Sequence, residues 1–278
     1  MKHLFDELSY AVSKITTQKY STSFSLGILA LSPSIRTAIY AIYGYVRLAD
    51  EIVDSFHGYD KENLLNRLKE ETEDALKEGI SLNPILNSFQ QTVLQYKIDK
   101  TLIHKFLHSM EMDLHQIDYN SDLYKEYIFG SAEVVGLMCL QVFTNGNMEK
   151  YEKLKPYAMK LGSAFQKINF LRDLKDDYKV LGRTYFPNIN MGVFDNDVKK
   201  QIEKEIELEF KEALIGIKKL PNSSMFGVYL AYKYYLSLFQ KIKRKSSNDI
   251  LTNRVRIPNS EKAFVALKSY VRYKTAYL

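Results

Sequence analysis

Hydrophobic residues along this chain recur at intervals of three and four, the spacing that places side chains on one face of an α-helix. Ile39, Ile42, Val46, Ala49 and Val53 form the clearest of these stripes. Strictly alternating runs, which would indicate strands, are nearly absent. The pattern predicts about ten helices and a further short one, at roughly 3–18, 21–30, 34–56, 60–78, 84–97, 99–119, 122–145, 150–179, 197–219, 223–246 and 260–274.

Proline and glycine are scarce, with 6 Pro and 12 Gly in 278 residues, and they mark the predicted boundaries. Pro33 and Pro84 each follow a residue that can cap a helix, Ser or Asn. Gly58, Gly79 and Pro156 also fall beside expected helix ends. No linker rich in Gly, Ser or Pro divides the chain. We therefore predict one all-α domain over residues 1–278.

One predicted helix carries a polar stripe beside its apolar face. Tyr43, Arg47, Asp50 and Asp54 are spaced four, three and four residues apart, so they lie in line on a helix. A polar line next to the most apolar face is expected near the interior. Two carboxylates one turn apart repel each other unless a cation lies between them. Mg²⁺ is such a cation, since it is commonly held by one or two carboxylates and by substrate phosphates.

A second predicted helix repeats this arrangement. Gln166, Asn169, Asp173 and Asp177 are spaced three, four and four residues apart and share one face, with Arg172 beside them. The amide groups add neutral oxygen ligands or hydrogen-bond donors. If the two helices face each other in a bundle, four carboxylates surround a cavity. The alternative is a pair of unrelated surface helices with ordinary ion pairs.

Arginine accompanies both acidic stripes, and a further arginine follows the second one. Arg47, Arg172 and Arg183 supply fixed positive charge, and arginine binds phosphate in a bidentate manner. Arg183 and Tyr185 belong to a loop that can close over a bound anion. Together these residues predict a site for a magnesium-diphosphate group, with Mn²⁺ as the alternative metal. The predicted metal ligands are Asp50, Asp54, Asn169, Asp173 and Asp177.

Other acidic and histidine pairs in the sequence lack the arginine, tyrosine or amide side chains that accompany the two acidic stripes. Glu70, Asp74 and Glu78 lie among Lys and Glu and are interpreted as surface residues. His104 and His108 lie four residues apart without a convincing acidic partner stripe, so we interpret them as structural. Neutral histidine would in any case suit zinc better than magnesium.

The composition is that of a globular protein, with 46% hydrophobic and 26% charged residues. A formal net charge of +6 fits nucleic acid, anionic lipid or phosphorylated small molecules as partners. The dense cluster Lys241, Lys243, Arg244 and Lys245 is interpreted first as a solvated helix end and second as a membrane-surface contact. The single cysteine, Cys139, excludes an intramolecular disulfide and is expected to be a small buried residue.

At these motifs the sequence resembles the squalene/phytoene synthase family, and the resemblance covers most of the chain. The matching segments are Tyr20–Phe24, Arg36–Asp54, Tyr127–Gly130 with Val134–Gly136, Gln166–Asp177, Arg183–Pro187 and Arg254–Ile257, with Tyr235 upstream of the last. One departure is Glu133, where a small or neutral residue is expected. It is either a surface residue or an extra charge near the pocket.

The resemblance implies a single-domain isoprenoid-synthase-type helical bundle with a central apolar cavity. It also implies head-to-head condensation of two prenyl diphosphates through a cyclopropyl diphosphate. The catalytic residues carried over are Asp50, Asp54, Asp173, Asp177, Tyr43 and Tyr185. The substrate-binding residues carried over are Ser21, Ser23, Phe24, Arg47, Tyr127, Gln166, Asn169, Arg172, Arg183, Tyr235 and Arg254.

The leading hypothesis for the substrate is geranylgeranyl diphosphate, which would give phytoene. Leu26, Gly27 and Ile28 carry no aromatic ring and suit a deep pocket. The alternatives are a C15 enzyme that makes squalene or dehydrosqualene from farnesyl diphosphate, and a non-catalytic assembly factor. The need for a nicotinamide cofactor and the oligomeric state stay open. We expect prenyl diphosphates and no nucleic acid as partners, a peripheral membrane contact for product release, and a cytoplasmic location, with the inner membrane face as the alternative.

Overall fold

The computed structural model describes residues 1–115, 119–179, 185–187 and 194–275, and all regular structure in these ranges is helical. The helices are α1 Lys2–Tyr20, α2 Thr22–Leu29, α3 Pro33–Asp54, α4 Lys61–Glu78, α5 Pro84–Tyr96, α6 Lys100–Met112, α7 Ser121–Ile128, α8 Val134–Phe143, α9 Met148–Lys179, α10 Asn196–Ile217, α11 Asn222–Lys243, α12 Ser247–Thr252 and α13 Asn259–Lys274. A π-helical turn, Phe129–Glu133, joins α7 to α8. The all-α prediction is confirmed.

Helix boundaries follow the predicted capping residues in most places. Pro33 and Pro84 begin α3 and α5, and the Asn83 side chain accepts a hydrogen bond from the Ile85 amide at 3.0 Å. The Ser32 side chain makes no such bond to the start of α3. Pro156 was wrongly placed at a boundary, since α9 continues through it. Packing of α9 against α8 and α10 evidently outweighs the lost backbone hydrogen bond.

Two predicted helices differ from the structure, and one helix of the structure was not predicted. The helix expected over 99–119 ends at Met112. The helix expected over 122–145 contains the π-helical turn, where a Cβ on Gly130 would lie 2.6 Å from the Lys105 carbonyl oxygen. Glycine therefore permits close approach to α6 at this turn. Helix α12 is too short to show periodicity, although Ser246 and Asp249 form a capping box at its start.

Two hydrophobic cores flank a central space. In the first, α3 packs against α1, α5 and α8, and the fully buried Tyr45 ring stacks on Phe89 with 3.9 Å between centroids. The second core lies between α7, α9, α10 and α11, where Phe170 stacks on Tyr185 at 4.3 Å. Helix α8 contacts both α3 and α9. It therefore holds these two helices on either side of the space between the cores.

By length and composition alone, one helical stretch of the described residues, Ser121–Phe143, is apolar enough to cross a membrane. Half of that stretch is buried inside the fold, as expected for a core helix.

Candidate active site

A cavity of about 660 Å³ lies between α3 and α9, and its lining changes from polar to apolar along both helices. Near the C-terminal end of α3 the lining residues are acidic, and toward its N-terminal end they are Ile42 and Ile39. On α9 the lining runs from Asp173 back to Leu154. The polar residues that line it are Tyr20, Ser21, Ser23, Tyr43, Arg47, Asp50, Asp54, Asp113, Tyr127, Ser131, Gln166, Asn169, Arg172, Asp173, Tyr185, Tyr235 and Arg254. The cavity therefore has a charged end and a hydrophobic body.

Asp50 lies at the α3 side of the charged end, where its surroundings disfavour the ionised carboxylate. About a third of its side chain is accessible, 32%, and it lines the cavity. Removal from bulk water and the nearby Asp54 charge raise the pKa of Asp50 to about 7. Arg47 opposes this rise, but its Nη1 lies 3.9 Å from the Asp50 carboxylate. Arg47 therefore offsets only part of the effect of burial and of the Asp54 charge on Asp50.

Arg47 is held in place by neighbours on two sides. Its guanidinium pairs with Glu51 one turn along the helix and lies over the Tyr20 ring, 4.3 Å from the centroid. Next along the stripe, burial raises the pKa of Tyr43 to about 12, and Ser21 hydrogen-bonds its hydroxyl. Tyr43 therefore presents a neutral hydroxyl group in the cavity.

On the α9 side, the predicted polar face forms a connected set of hydrogen bonds. Arg172 Nε donates to Asp173 Oδ1 at 2.9 Å, and Arg254 Nε lies 2.8 Å from the same oxygen. The Tyr235 hydroxyl donates to Asn169 Oδ1 at 3.3 Å. The Asn169 amide in turn donates to Gln166 Oε1 at 3.4 Å. Two arginines thus meet the carboxylate of Asp173, which lines the same cavity as Asp50 and Asp54 of α3.

Asp113 is a site residue that the sequence analysis missed. It was expected inside a longer helix, but it lies just beyond the end of α6 and is buried. Its Oδ2 accepts a hydrogen bond from the Tyr127 hydroxyl at 2.7 Å, and its Oδ1 accepts one from Tyr185 at 3.0 Å. Burial and the Asp113 charge raise the pKa of Tyr127 well above its usual value. No local spacing pattern points to this contact, because its partners come from distant parts of the chain.

Most of the predicted site residues meet in this cavity. Those that line it are Ser21, Ser23, Phe24, Tyr43, Arg47, Asp50, Asp54, Tyr127, Gln166, Asn169, Arg172, Asp173, Tyr185, Tyr235 and Arg254. Arg183 and the side chain of Asp177 lie outside the described residues. The expectation that two acidic helices face one cavity is confirmed for Asp50, Asp54 and Asp173.

The acidic residues assigned to the surface lie away from the cavity, whereas Cys139 lines it. Glu70, Asp74 and Glu78 are exposed, as predicted. His104 pairs with Glu73 on the surface, 2.6 Å apart. Cys139 is only partly buried and lines the cavity, where desolvation raises the pKa of its thiol to about 12.

Glu133 belongs to a polar cluster behind the cavity wall. Burial and the neighbouring Glu209 charge raise the pKa of Glu133 to about 7, while Lys160 and Lys167 oppose the rise. The buried Lys167 Nζ donates to Glu209 at 2.9 Å, and the Ser163 hydroxyl donates to the same carboxylate at 2.8 Å. Glu133 is therefore a partly buried ionisable group near the pocket, although it does not itself line the cavity.

The charged end fits a hard divalent cation in its donor chemistry. Asp50 and Asp54 offer carboxylate oxygens, and the raised pKa of Asp50 marks a place where added positive charge is stabilising. Among the described residues, no group of three acidic, His or Cys side chains is close enough to hold a metal without other ligands. Phosphate oxygens of a substrate would complete the coordination sphere, as is usual for Mg²⁺.

Comparison with known proteins agrees with this geometry. Phytoene synthase 1 of Solanum lycopersicum is 28% identical over 274 residues, which cover 91% of this chain and 66% of that protein. The chain thus spans about two thirds of the length of that relative. A dehydrosqualene synthase structure superposes with a TM-score of 0.82 at 20% identity, over 97% of this chain and 98% of that one. A squalene synthase of Alicyclobacillus acidocaldarius superposes with a TM-score of 0.73 at 19% identity, over 85% and 93% of the two chains.

These structures have the all-α isoprenoid synthase fold, and the present chain shares it. The sequence model of the family described as squalene/phytoene synthase matches residues 17–261. Members of this family are prenyltransferase-type enzymes that make phytoene or squalene. The match covers most of the chain, including both acidic stripes and the arginine element near the C-terminus. The chain therefore belongs to the squalene/phytoene synthase family.

Proposed function

We propose that this protein is a Mg²⁺-dependent prenyltransferase that joins two molecules of geranylgeranyl diphosphate head to head to make phytoene. The observation that carries the proposal is one cavity, which has four described aspartates and three arginines at one end and an apolar body. Such a cavity can hold a diphosphate and a long hydrocarbon tail at the same time. Mg²⁺, when bound, would neutralise charge that develops on a departing diphosphate.

The first half-reaction breaks the C1–O bond of one substrate and releases its diphosphate. C1 then bonds to the double bond of the second substrate, and loss of a proton closes a cyclopropyl diphosphate. In this proposal Arg47, Arg172 and Arg254, which line the cavity, bind the diphosphate oxygens together with Ser21 and Ser23. These residues orient the substrate and stabilise the negative charge that develops on the departing diphosphate. Development of this charge accounts for much of the activation barrier of the step.

The second half-reaction releases the remaining diphosphate, rearranges the carbon skeleton and loses one proton to form the central double bond. The carbocation must be kept from water throughout, because water would trap it as an alcohol. The apolar lining provides this exclusion. Tyr127, Phe170 and Tyr185 form a ring cluster at the cavity wall, and ring faces stabilise positive charge. Asp113 holds the two hydroxyl groups of this cluster in place.

Cavity length supports a C20 substrate over a C15 substrate. Beyond the acidic end, helix α3 lines the cavity from Asp50 to Ile39, a rise of about 16 Å. An extended carbon chain advances roughly 1.2 Å per bond, so a geranylgeranyl tail spans about 18 Å and a farnesyl tail about 13 Å. Gly27, Gly136 and Ala158 line the body, and their small side chains leave room for long tails. A farnesyl tail would leave part of this length unfilled.

A product assay tests the proposal. Purified protein is incubated with Mg²⁺ and either geranylgeranyl or farnesyl diphosphate, and extracted hydrocarbons are identified by mass spectrometry. We expect phytoene from the C20 substrate, none after chelation of the metal, and none from the Asp50→Asn variant. A product from the C15 substrate alone would replace the proposal by squalene or dehydrosqualene synthesis. The non-catalytic alternative would be favoured if neither substrate gave a product and the Asp50→Asn variant matched the wild type in stability and in substrate binding.

A further inference from the structure

The outward face of α13 is apolar although it packs on no described residue. Phe264, Leu267 and Val271 are 65%, 64% and 52% exposed. At 3.6 residues per turn these three side chains fall within an arc of roughly 60°. The buried Ser269 and the half-buried Tyr273, which contacts Phe226 of α11, lie on the opposite side of the helix. The inner side of α13 therefore packs on the rest of the protein. Packing within the fold does not account for the exposed apolar residues of the outer side.

Basic side chains border this stripe on both sides. Lys268 and Lys274 fall just beyond its two edges on the helical wheel, and both are exposed, as is Arg272. Glu261 is the one acidic residue of α13, and it is paired with Lys241 at 2.5 Å. That pair also places the N-terminal end of α13 beside the basic end of α11, which carries the exposed residues Lys243, Arg244 and Lys245. The apolar stripe thus lies within a positively charged surface.

Helix α2 lies beside α13 and has exposed apolar residues of its own. Both α2 and α13 pack along α11, and the Lys262 side chain of α13 hydrogen-bonds Thr22 at the start of α2. Leu26 and Leu29 of α2 are 38% and 45% exposed. Ile28, on the inner side of the same helix, lines the cavity. A single helix therefore separates the apolar body of the cavity from this outer surface.

We propose that the outer faces of α13 and α2 dock on an anionic lipid bilayer. A helix with large apolar residues on one side and Lys or Arg at their borders lies in the interface between water and lipid. Anionic headgroups complement the surrounding positive charge. A second copy of this chain would bring the same basic residues together and is disfavoured by repulsion. Binding of this surface to lipid does not depend on the proposed function. Its role in product release rests on that function, since a hydrocarbon product leaves most easily into lipid.

Vesicle co-sedimentation of the full chain tests this proposal. The probes are phosphatidylcholine vesicles with and without phosphatidylglycerol. The test variant carries Phe264→Ser, Leu267→Ser and Val271→Ser. A matched control carries Leu8→Ser, Leu82→Ser and Leu208→Ser, which remove three exposed leucines from α1, the α4–α5 loop and α10.

We expect the wild type and the control variant to bind anionic vesicles, and the α13 variant to bind about tenfold more weakly or less. Lys268→Gln and Lys274→Gln together should weaken binding by about fivefold for each lysine replaced, and high salt should also weaken it. Binding to neutral vesicles should be weak for every variant.

Equal binding by the wild type and the α13 variant would overturn the proposal, as would binding that ignores lipid charge. A wild-type dimer that the α13 variant converts to a monomer in sedimentation velocity would assign the face to a second copy instead. The charge variant and the salt series keep the test decisive if the apolar variant folds poorly. Product formation from detergent-dispersed substrate should be unchanged in all variants, so loss of vesicle binding is separable from failure of the proposed activity.

Discussion

Asp113 offers a sharp test of the structure because it joins two tyrosines that are far apart in sequence. Asp113→Asn keeps the size of the side chain but replaces one acceptor oxygen by an amide donor. In the wild type, the hydroxyl groups of Tyr127 and Tyr185 donate to Asp113 at 2.7 and 3.0 Å. The variant can accept only one of them well, so the other hydroxyl loses its partner in the buried cluster.

The expected cost follows from these two bonds. A hydrogen bond to a charged group contributes about 1.5–3 kcal/mol, and an unpaired buried donor costs a similar amount. The carboxylate also raises the pKa of Asp50, so its removal relieves some repulsion. We therefore expect a net loss of about 1–3 kcal/mol in the free energy of unfolding, which for a chain of this size lowers the Tm by about 2–10 °C.

Thermal unfolding and product formation are measured on Asp113→Asn, Tyr185→Phe and the double variant. Asp113 and Tyr185 share one hydrogen bond. The effects of the two single changes on stability and on rate should therefore be less than additive. Tyr124→Phe is the matched control, since this ring packs in the same cluster but donates no hydrogen bond to Asp113 among the described contacts. Additive effects, or an Asp113→Asn variant with wild-type stability and rate, would refute the reasoning.

Three further predictions concern the metal, a close helix contact and the arginines. Without metal, folded Asp50 keeps a proton up to about pH 7, which the unfolded chain releases near pH 4, so stability falls as pH rises through this window. Calorimetry should accordingly show tighter Mg²⁺ binding at about pH 8 than at pH 6, with proton release at the lower pH, and neither effect in Asp50→Asn. Gly130→Ala should lower the free energy of unfolding by about 1–3 kcal/mol because its Cβ would meet the Lys105 carbonyl oxygen, whereas Gly27→Ala, with ordinary 3.5 Å contacts, should be near neutral in urea unfolding. Arg254→Lys keeps the charge but loses the planar contact with a carboxylate or phosphate, and steady-state kinetics should show at least a tenfold loss of kcat/KM with little change in Tm.

The helical fold and the charged end of the cavity could be predicted because each depends on short-range spacing. Asp50 and Asp54, like Asn169 and Asp173, share a helix face by local periodicity alone. The same periodicity cannot indicate where a helix stops when tertiary contacts decide, as at the end of α6 beside Asp113. The π-helical turn is likewise set by how closely Gly130 approaches α6, which no spacing pattern encodes.

Side-chain contacts between distant segments were the hardest feature to predict from the sequence. The sequence analysis assigned Arg172 to phosphate binding, and the structure places it on Asp173 together with Arg254. In the structure these arginines hold an acidic side chain. The buried cluster around Glu133 and Lys167 was also unexpected, because its members come from three separate helical segments.

Binding of an unreactive substrate analogue tests the central claim most directly, namely that the acidic residues hold a metal-bound diphosphate while the cavity holds its tail. The dissociation constant of geranylgeranyl thiodiphosphate can be measured by calorimetry with and without Mg²⁺, for the wild type and for Asp50→Asn. We predict saturable binding that weakens at least tenfold when either Mg²⁺ or the Asp50 carboxylate is removed. Binding of equal strength under all of these conditions would contradict the account.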